Sequence, residues 1–278
     1  MNLDELERDA LRKISKSIED DSLVLPRVPE IVQKIDKAIA NSDASIKEIS
    51  EIIKFESSIS ARILQIANSP LVRGNTNITS LHGAITRIGL QMVRNLVLCM
   101  GVKDAFSIHG AVLRRKMKEL WDDNVAIAMY AYVLANHFRM NCDFAMMAGM
   151  LHSLGKLPII DYASKHREIL EDERVFDYLM KTLHKPLGIK ILRQWEFQDE
   201  LISVIENYDE IDKERPGEID VVDLVIVAYC FVIDTQSNPL DWYRVRALRK
   251  MHLTRNELEK ILLPVTGEVS DVSKILFQ

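Results

Sequence analysis

The sequence predicts an all-α protein of 278 residues, and three observations support that fold class. First, apolar residues recur at three- and four-residue spacing along most of the chain, which is the period of an amphipathic helix. Second, helix-capping residues precede several of these segments, and proline or glycine follows some of them. Third, no convincing strand alternation or hairpin turn occurs. Together these observations favour packed helices over any architecture that contains a sheet.

The N-terminal helices are predicted from their apolar spacing and from the residues at their ends. Leucines and isoleucines predict a first amphipathic helix over residues 1–20, and a second helix follows from about Glu30 to Ala40. Ser45 and Glu48 match a capping box, in which each side chain satisfies a free backbone donor, so a third helix should begin there. A fourth helix should stop before Pro70, because proline disfavours helical conformation in the residue before it.

A tight corner between two helices is predicted around Gly89. Ser80 can cap a short helix, Gly89 offers a left-handed stop at its end, and Leu90 to Val102 restarts a helix with nearly continuous apolar positions. The arrangement is similar to a DNA-reading helix-turn-helix. We favour a packing corner instead, because Leu96 and its apolar neighbours would bury the supposed recognition helix.

Helical signals continue through the rest of the chain. Predicted helices run from Trp121 to about Phe138 and through the methionine-rich segment before His152, and further ones span residues 187–195, 200–207, 219–233 and 241–251. Thr254 and Glu257 form a second capping box. The uncharged run 224–233 is too short to cross a bilayer, which needs about 20 residues, and is interpreted as a buried core helix.

Composition limits the classes of function. A formal net charge of −5 argues against a general polyanion binder, so nucleic acid is not an expected partner. The three cysteines, Cys99, Cys142 and Cys230, lie in apolar segments without CxxC spacing, which indicates buried thiols in a reducing compartment. The acidic, amphipathic N-terminus resembles neither a signal peptide nor a membrane anchor. We therefore expect a cytoplasmic protein with no membrane partner.

Four passages carry a family resemblance when they are taken together and in order. They are Leu25-Pro26-Arg27-Val28-Pro29-Glu30, the run from Ser60 to Ser69 that ends in Ala-Asn-Ser, the run from Ile78 to Gly89, and Ala148 to Lys156. They resemble the HDOD domain, a bacterial signalling module distantly related to the HD phosphohydrolases. The resemblance implies a multi-helix HD-like bundle, with an N-terminal helical lobe packed on a degenerate HD-type lobe.

The resemblance also suggests how the chain is divided. We expect an N-terminal helix over residues 1–20 and an HDOD domain over residues 21–216. Within that domain, the N-terminal lobe should cover about 21–108 and the HD-like lobe about 109–216. Residues 217–278 should add C-terminal helices that complete the HD-like lobe.

The stretch from Leu151 to Lys156 resembles the metal-binding signature of a phosphohydrolase, with a serine in place of its aspartate. A neutral hydroxyl does not supply the anionic oxygen that hard metals prefer. The resemblance places other residues of this chain at the remaining ligand positions: Asp123 for an early histidine, His184 for a later one, Tyr208 and Asp209 for paired histidines, and Tyr229 for a final aspartate. Only His152 and His184 keep the expected chemistry.

Two histidines without a dependable carboxylate are too few for tight binding of zinc, iron or manganese. We therefore expect no cofactor, no metal and no catalysis, and interpret six positions as vestigial: Asp123, His152, Ser153, His184, Tyr208 and Asp209. In the simplest structural account, His152 is partly buried and hydrogen-bonded inside the old pocket. Lys156 would then cap a helix C-terminus or pair with a carboxylate.

The resemblance implies a non-catalytic signal-transduction module that acts through contacts with unidentified signalling proteins. Two rival hypotheses stay open, namely a metal-dependent phosphohydrolase with an atypical site and a nucleotide-sensing domain without turnover. Arg114 and Arg115 in a basic cluster, and Arg73 in the loop 71–77, are candidate interaction residues. An ordinary solvated surface is the favoured interpretation of both segments.

Overall fold

The computed structural model describes residues 29–40, 45–70, 72, 76–104, 110–234 and 238–277, together with the isolated positions 12 and 16. Within these ranges the chain forms helices joined by short connections, with no β-strand, so the all-α prediction is confirmed. The helix predicted over residues 1–20, most of the segment 25–29 and Arg73 lie outside the described residues.

The first lobe consists of five helices: α1 (Glu30–Ala40), α2 (Ile46–Lys54), α3 (Ser57–Ala67), α4 (Leu81–Ile88) and α5 (Leu90–Asp104). Side chains at helical spacing meet in its core, where Ile35, Ile49, Ile53, Ile63 and Ile85 have no exposed surface. Burial of such side chains is the main favourable term in folding, so this periodic stripe explains why the short helices persist.

Capping residues define several helix ends in this lobe. The Ser45 hydroxyl accepts a hydrogen bond from Glu48 N at 3.2 Å, which is the serine half of the predicted capping box. Asn68 ends α3, and its side chain exchanges two 2.8 Å hydrogen bonds with the backbone of Ile78. The Ala-Asn-Ser passage thus ties the end of α3 to the chain that enters α4.

The predicted corner at Gly89 is present. Ser80 Oγ accepts a hydrogen bond from Gly83 N at 3.1 Å. Gly89 has φ of 86°, a conformation that glycine adopts readily. Leu96 is buried, and Val97 and Leu98 have no exposed surface, which supports the packing interpretation. No single helix in the described ranges is long and apolar enough to cross a membrane, and α4 and α5 pass that test only when joined across their 106° bend.

The second part of the chain contains the remaining helices: α6 (Ala111–His137), α7 (Cys142–Leu151), α8 (Lys156–Lys165), α9 (Arg167–Leu170), α10 (Glu173–Gln194), α11 (Asp199–Asn207), α12 (Val221–Ile233), α13 (Arg246–Lys250), α14 (Arg255–Leu262) and α15 (Thr266–Phe277). Short 3-10 turns cover Trp242–Arg244 and Leu263–Val265. Helix α6 is central, because α7, α12 and α15 all pack against it. Helix α15 also contacts α3 and so joins the two parts.

Two predicted helix starts are wrong. The helix expected from Trp121 begins at Ala111, because Leu113 and Met117 already face the core while Arg114 and Arg115 between them are exposed. The helix expected over residues 187–195 is the end of α10, which begins at Glu173 and contains Pro186 in its interior. Buried leucines on both sides of that proline outweigh its helix-breaking tendency.

The segment 241–251, which was predicted to form one helix, is interrupted in the structure. It forms the 3-10 turn and then α13, with a break at Val245, whose ψ of 92° is not helical. The Asp241 side chain caps the turn by accepting a hydrogen bond from Tyr243 N at 3.1 Å. The capping box of Thr254 and Glu257 is present at the start of α14, as predicted.

Candidate functional site

Six of the residues singled out from the sequence line one cavity of about 560 Å³. Helices α6, α8, α10 and α12 and the end of α11 form its walls, and its lining includes Asp123, Lys156, His184, Tyr208, Asp209 and Tyr229. His152 and Ser153 are 2% and 1% exposed and lie behind this wall. The resemblance therefore predicted positions that the fold does bring together.

Gly155 allows the start of α8 to pack closely against α10. The start of α8 approaches the backbone of α10 so closely that a Cβ on Gly155 would collide with His184 O and lie 2.5 Å from Gly188 N. Gly155 has φ of −68°, which any residue can adopt, so only the missing side chain matters. The Gly-Lys turn of the old signature is thus required by the packing of α8 against α10.

His152 is held inside the protein as a neutral imidazole. Its Nδ1 lies 2.6 Å from Gly149 O, and because a carbonyl only accepts, Nδ1 carries the proton. The ring contacts Tyr208 edge-on, with centroids 4.6 Å apart. Burial, assisted by the positive charge of Lys156, lowers the pKa of His152 to about 3. The expected internal hydrogen bond is present, although the side chain is fully rather than partly buried.

Ser153 is bonded to a residue that the sequence did not single out. Its hydroxyl donates a 2.8 Å hydrogen bond to Asn124 Oδ1 on α6, and both side chains are buried. A buried polar pair of this kind is stable only while both partners are satisfied. The signal for Asn124 is its position, since it shares the buried face of α6 with Trp121 and Ala128.

His184 presents an unsatisfied nitrogen beside the cavity. Its Nδ1 lies 3.1 Å from Lys181 O and therefore donates, which leaves Nε2 as a buried acceptor without a hydrogen-bond partner. Asp209 Oδ2 is 3.8 Å from that nitrogen, while Asp209 Oδ1 forms an ion pair with Lys185 at 2.5 Å. Burial and the charge of Lys156 lower the pKa of His184, so the ring is neutral near pH 7.

Lys156 is the residue whose role was predicted wrongly. It begins α8 rather than capping a helix C-terminus, and it forms no ion pair within the described part of the chain. Its Nζ lies 5.9 Å from the centre of the Tyr208 ring. Burial lowers the pKa of Lys156, whereas Asp123 and Asp209 favour its charged form. The Lys156 side chain lines the cavity around which the predicted ligand positions are arranged.

The tyrosines at the other ligand positions do not ionise near pH 7. Burial raises the pKa of Tyr208, and burial raises the pKa of Tyr229 to about 12. Their rings meet edge-on with centroids 5.1 Å apart. Partial loss of hydration raises the pKa of Asp123, which lies at the rim. A neutral phenol is a poor substitute for a histidine or carboxylate ligand.

The residues present do not fit the metal centre of an HD phosphohydrolase. Among the described residues, no group of three His, Cys, Asp or Glu side chains is arranged to hold an ion. The Ser153 hydroxyl donates a hydrogen bond to Asn124 Oδ1, and the Lys156 ammonium faces the same cavity as His184. A positive charge at this point opposes the binding of a second one.

Two of the predicted interaction residues, Arg114 and Arg115, do not line this cavity, and the third, Arg73, lies outside the described residues. Arg114 and Arg115 are exposed on the first turns of α6, and Arg115 is 3.7 Å from Glu119. Lys116 turns toward Phe176, with its Nζ 5.0 Å from the ring centre, and Lys118 pairs with Asp122. The basic cluster is therefore divided between several partners rather than forming one uncompensated patch.

A family model described as the HDOD domain matches residues 25–211. The chain belongs to the HDOD domain family. The resemblance seen in the four sequence passages is thereby confirmed. The matched part of this HDOD protein contains Asp123, His152, His184 and Asp209, whereas Tyr229 and the helices from α12 onward lie beyond its end.

Solved structures resemble this HDOD protein over most of its length. A "putative metal-dependent phosphohydrolase" of Shewanella amazonensis SB2B has a TM-score of 0.82 at 23% identity, with 96% of this chain and 99% of that chain covered. An HDOD domain protein of unknown function from Geobacter sulfurreducens has a TM-score of 0.65 at 18% identity, covering 91% and 92%. A "putative signal transduction protein" of Marinobacter aquaeolei VT8 has a TM-score of 0.67 at 17% identity, covering 98% and 66%. At these identities the likeness shows the fold.

One relative, an uncharacterized protein of Treponema pallidum (strain Nichols), is 24% identical over 210 residues. The aligned part covers 69% of this chain, and the chain spans 39% of the length of that relative.

Proposed function

We propose that this HDOD protein is a non-catalytic regulatory module that acts through contacts with other proteins. The proposal rests on the side chains that occupy the positions at which HD phosphohydrolases have metal ligands. Ser153 is hydrogen-bonded to Asn124, two tyrosines replace ligands, and the Lys156 ammonium faces the cavity. Metal-dependent hydrolysis requires an ion that activates water, and this arrangement offers it no adequate ligand set. The family match and the likeness to a signal transduction protein fit a regulatory role.

The test combines metal content with activity on the full chain. Elemental analysis of purified protein should find metal well below one ion per chain. Phosphomonoesters and cyclic dinucleotides should not be hydrolysed with added zinc, iron or manganese. Stoichiometric metal together with hydrolysis that is lost in His152→Ala and kept in His137→Ala would refute the proposal. His137 is the matched control because it is an exposed histidine at the end of α6.

A second candidate function is a sensor that binds a small ligand without turning it over. Two groups favour it, namely the Lys156 ammonium, which has no ion pair among the described residues, and the unpartnered Nε2 of His184. Both adjoin a cavity of about 560 Å³, a size that suits a nucleotide-sized ligand. The ammonium suits an anionic oxygen, and the imidazole nitrogen suits a hydroxyl or amino donor.

Thermal-shift measurements with nucleoside monophosphates and cyclic dinucleotides test this second function. A ligand that binds the native state raises the apparent melting temperature by mass action. The rise should disappear in Lys156→Met and persist in Lys190→Met. A flat response to every nucleotide at millimolar concentration would refute the sensor function and leave the regulatory proposal standing.

A further inference from the structure

Two aromatic side chains outside the degenerate site are unusually exposed. Tyr243 is 89% exposed and Phe55 is 83% exposed, the largest values among the exposed large apolar side chains of the described residues. Large aromatic side chains at the surface are the ones that most often anchor protein interfaces. Each of the two lies beside a groove, and the net charges of the two groove linings are opposite in sign.

The first surface, which we call the Phe55 edge, lies where α2 ends and α3 begins. A groove of about 440 Å³ there is lined by Phe55 and Ile52 together with four glutamates and one lysine. Lys34 pairs with Glu30 at 2.8 Å and also attracts Glu56, and Glu51 pairs with Lys54 at 3.2 Å. Neither Glu48 nor Glu56 forms an ion pair among the described residues. The Phe55 edge therefore presents an aromatic ring in a lining whose net charge is negative.

The second surface, the C-terminal groove, lies around the turn before α13 and the start of α14. Its volume is about 570 Å³, and its lining includes Leu240, Trp242, Tyr243, Leu248 and Leu253 together with two arginines, Arg249 and Arg255, and one carboxylate, Asp241. Tryptophan, tyrosine and arginine are the residue types that dominate interface hot spots. All of these residues lie beyond residue 211, where the HDOD family match ends.

Buried polar contacts hold the floor of this groove rigid. Asp234 accepts hydrogen bonds from Trp242 Nε1 at 2.6 Å and from Leu240 N at 2.7 Å. Arg255 pairs with the same carboxylate at 2.9 Å, and its guanidinium lies 5.7 Å from the centre of the Trp242 ring. A surface that is already ordered loses little conformational entropy when it binds.

Arg249 supplies the complementary charge. It is exposed, and its guanidinium donates a 2.8 Å hydrogen bond to Tyr243 O, which fixes it beside the exposed ring. No carboxylate of the described residues pairs with it. Four further N–H donors of the guanidinium are thus free for a carboxylate that approaches from outside.

We propose that the chain self-associates by inserting Phe55 of one copy into the C-terminal groove of another, with Glu56 paired to Arg249. Within one molecule the Phe55 ring stays exposed, and the two grooves share no lining residue. The contact joins two different surfaces of the chain. Two copies form a closed dimer only if each inserts its Phe55 into the groove of the other, and otherwise the copies form a head-to-tail chain. One aromatic anchor with one ion pair makes the association weak and concentration-dependent.

Sedimentation velocity of the full chain tests the proposal. The weight-average mass should rise between about 1 µM and about 500 µM, in the range of a micromolar dissociation constant. Phe55→Ser and Tyr243→Ser should each weaken association about tenfold or more, as loss of a hot-spot aromatic does. Tyr178→Ser is the matched control, because Tyr178 is also exposed, at 42%, but lies on α10. It should leave association unchanged.

A charge reversal distinguishes this specific contact from non-specific association. Arg249→Glu and Glu56→Arg should each weaken association, and the two together in one chain should restore most of it. A chain that stays monomeric over the whole concentration range would overturn the proposal. Association that survives in Phe55→Ser would overturn it too. A monomer whose C-terminal groove crosslinks to an acidic protein of the native host would assign the groove to a different occupant and refute self-association.

Discussion

Replacing Gly155 with alanine should destabilise the fold, although the backbone at that position suits alanine. The added Cβ would collide with His184 O and lie 2.5 Å from Gly188 N, whereas real Cβ atoms essentially never come within 3.0 Å of another atom. Both obstacles are backbone atoms of α10, so no flexible side chain can move aside. Clearing Gly188 N alone requires a shift of about 0.5 Å, and clearing the nearer His184 O requires more, so helix α8 and its contacts with α10 must move.

The expected cost is about 2–3 kcal/mol. Overpacking a well-packed site costs about 1–3 kcal/mol, and a collision with backbone belongs at the upper end of that range. The alanine itself contributes about 0.4–1 kcal/mol of stability, because it restricts the unfolded chain more than glycine does and a φ of −68° suits it. A urea m-value of about 3 kcal/mol/M then predicts that the unfolding midpoint falls by roughly 1 M.

Urea unfolding followed by circular dichroism measures this change, provided that the m-value stays constant. Gly267→Ala is the matched control. Gly267 lies inside α15 and a Cβ there meets nothing within 4 Å, so the gain in helix propensity should stabilise the protein by about 0.5–1 kcal/mol. Equal midpoints for Gly155→Ala and the wild type would show that α8 and α10 do not require this approach. The packing explanation for the surviving Gly-Lys turn would then fail.

Three further predictions concern buried polar groups. The folded-state pKa of His152, about 3, lies below its unfolded value, so stability is fully present above about pH 6.5 and is lost as the pH falls toward 3. Between pH 7 and pH 5 this residue should lower the free energy of unfolding by about 2 kcal/mol. In His152→Gln, the free energy of unfolding in urea should depend less on pH than in the wild type. Ser153→Ala should lower the free energy of unfolding by about 1–3 kcal/mol, because it leaves Asn124 Oδ1 unpaired. A double-mutant cycle with Asn124→Ala should show a coupling energy between the two side chains, and strictly additive effects would contradict this prediction. Asp223→Ala should lower the free energy of unfolding by about 3–5 kcal/mol, because this 1% exposed carboxylate of α12 pairs with Arg215 at 2.9 Å and with Lys250 of α13 at 2.6 Å. Thermal or urea unfolding measures the change. A loss below about 1 kcal/mol would show that Asp223 does not anchor α13.

The candidate site was only partly predictable from the sequence. The motif resemblance identified His152, Ser153 and His184, because each has a fixed place in a pattern that the residues themselves carry. Asn124 was missed, since nothing near it in the sequence indicates that Ser153, on a different helix, is its partner. Lys156 was assigned a capping role because local rules treat a lysine by its distance from a helix end, whereas its charge interacts with Asp123, His184 and Asp209, which are far from it in the sequence.

Local structure followed the sequence closely wherever the deciding contacts are only a few residues apart. The caps at Ser45, Ser80 and Thr254 and the stop at Gly89 depend on backbone groups within one turn, so the sequence alone determined them. The all-α class follows from the same short-range periodicity. Tertiary structure decided the rest. Pro186 stays inside α10, Gly155 is required, and Tyr243 is left exposed beside Arg249, because contacts between residues far apart in the chain outweigh or complete the local preferences.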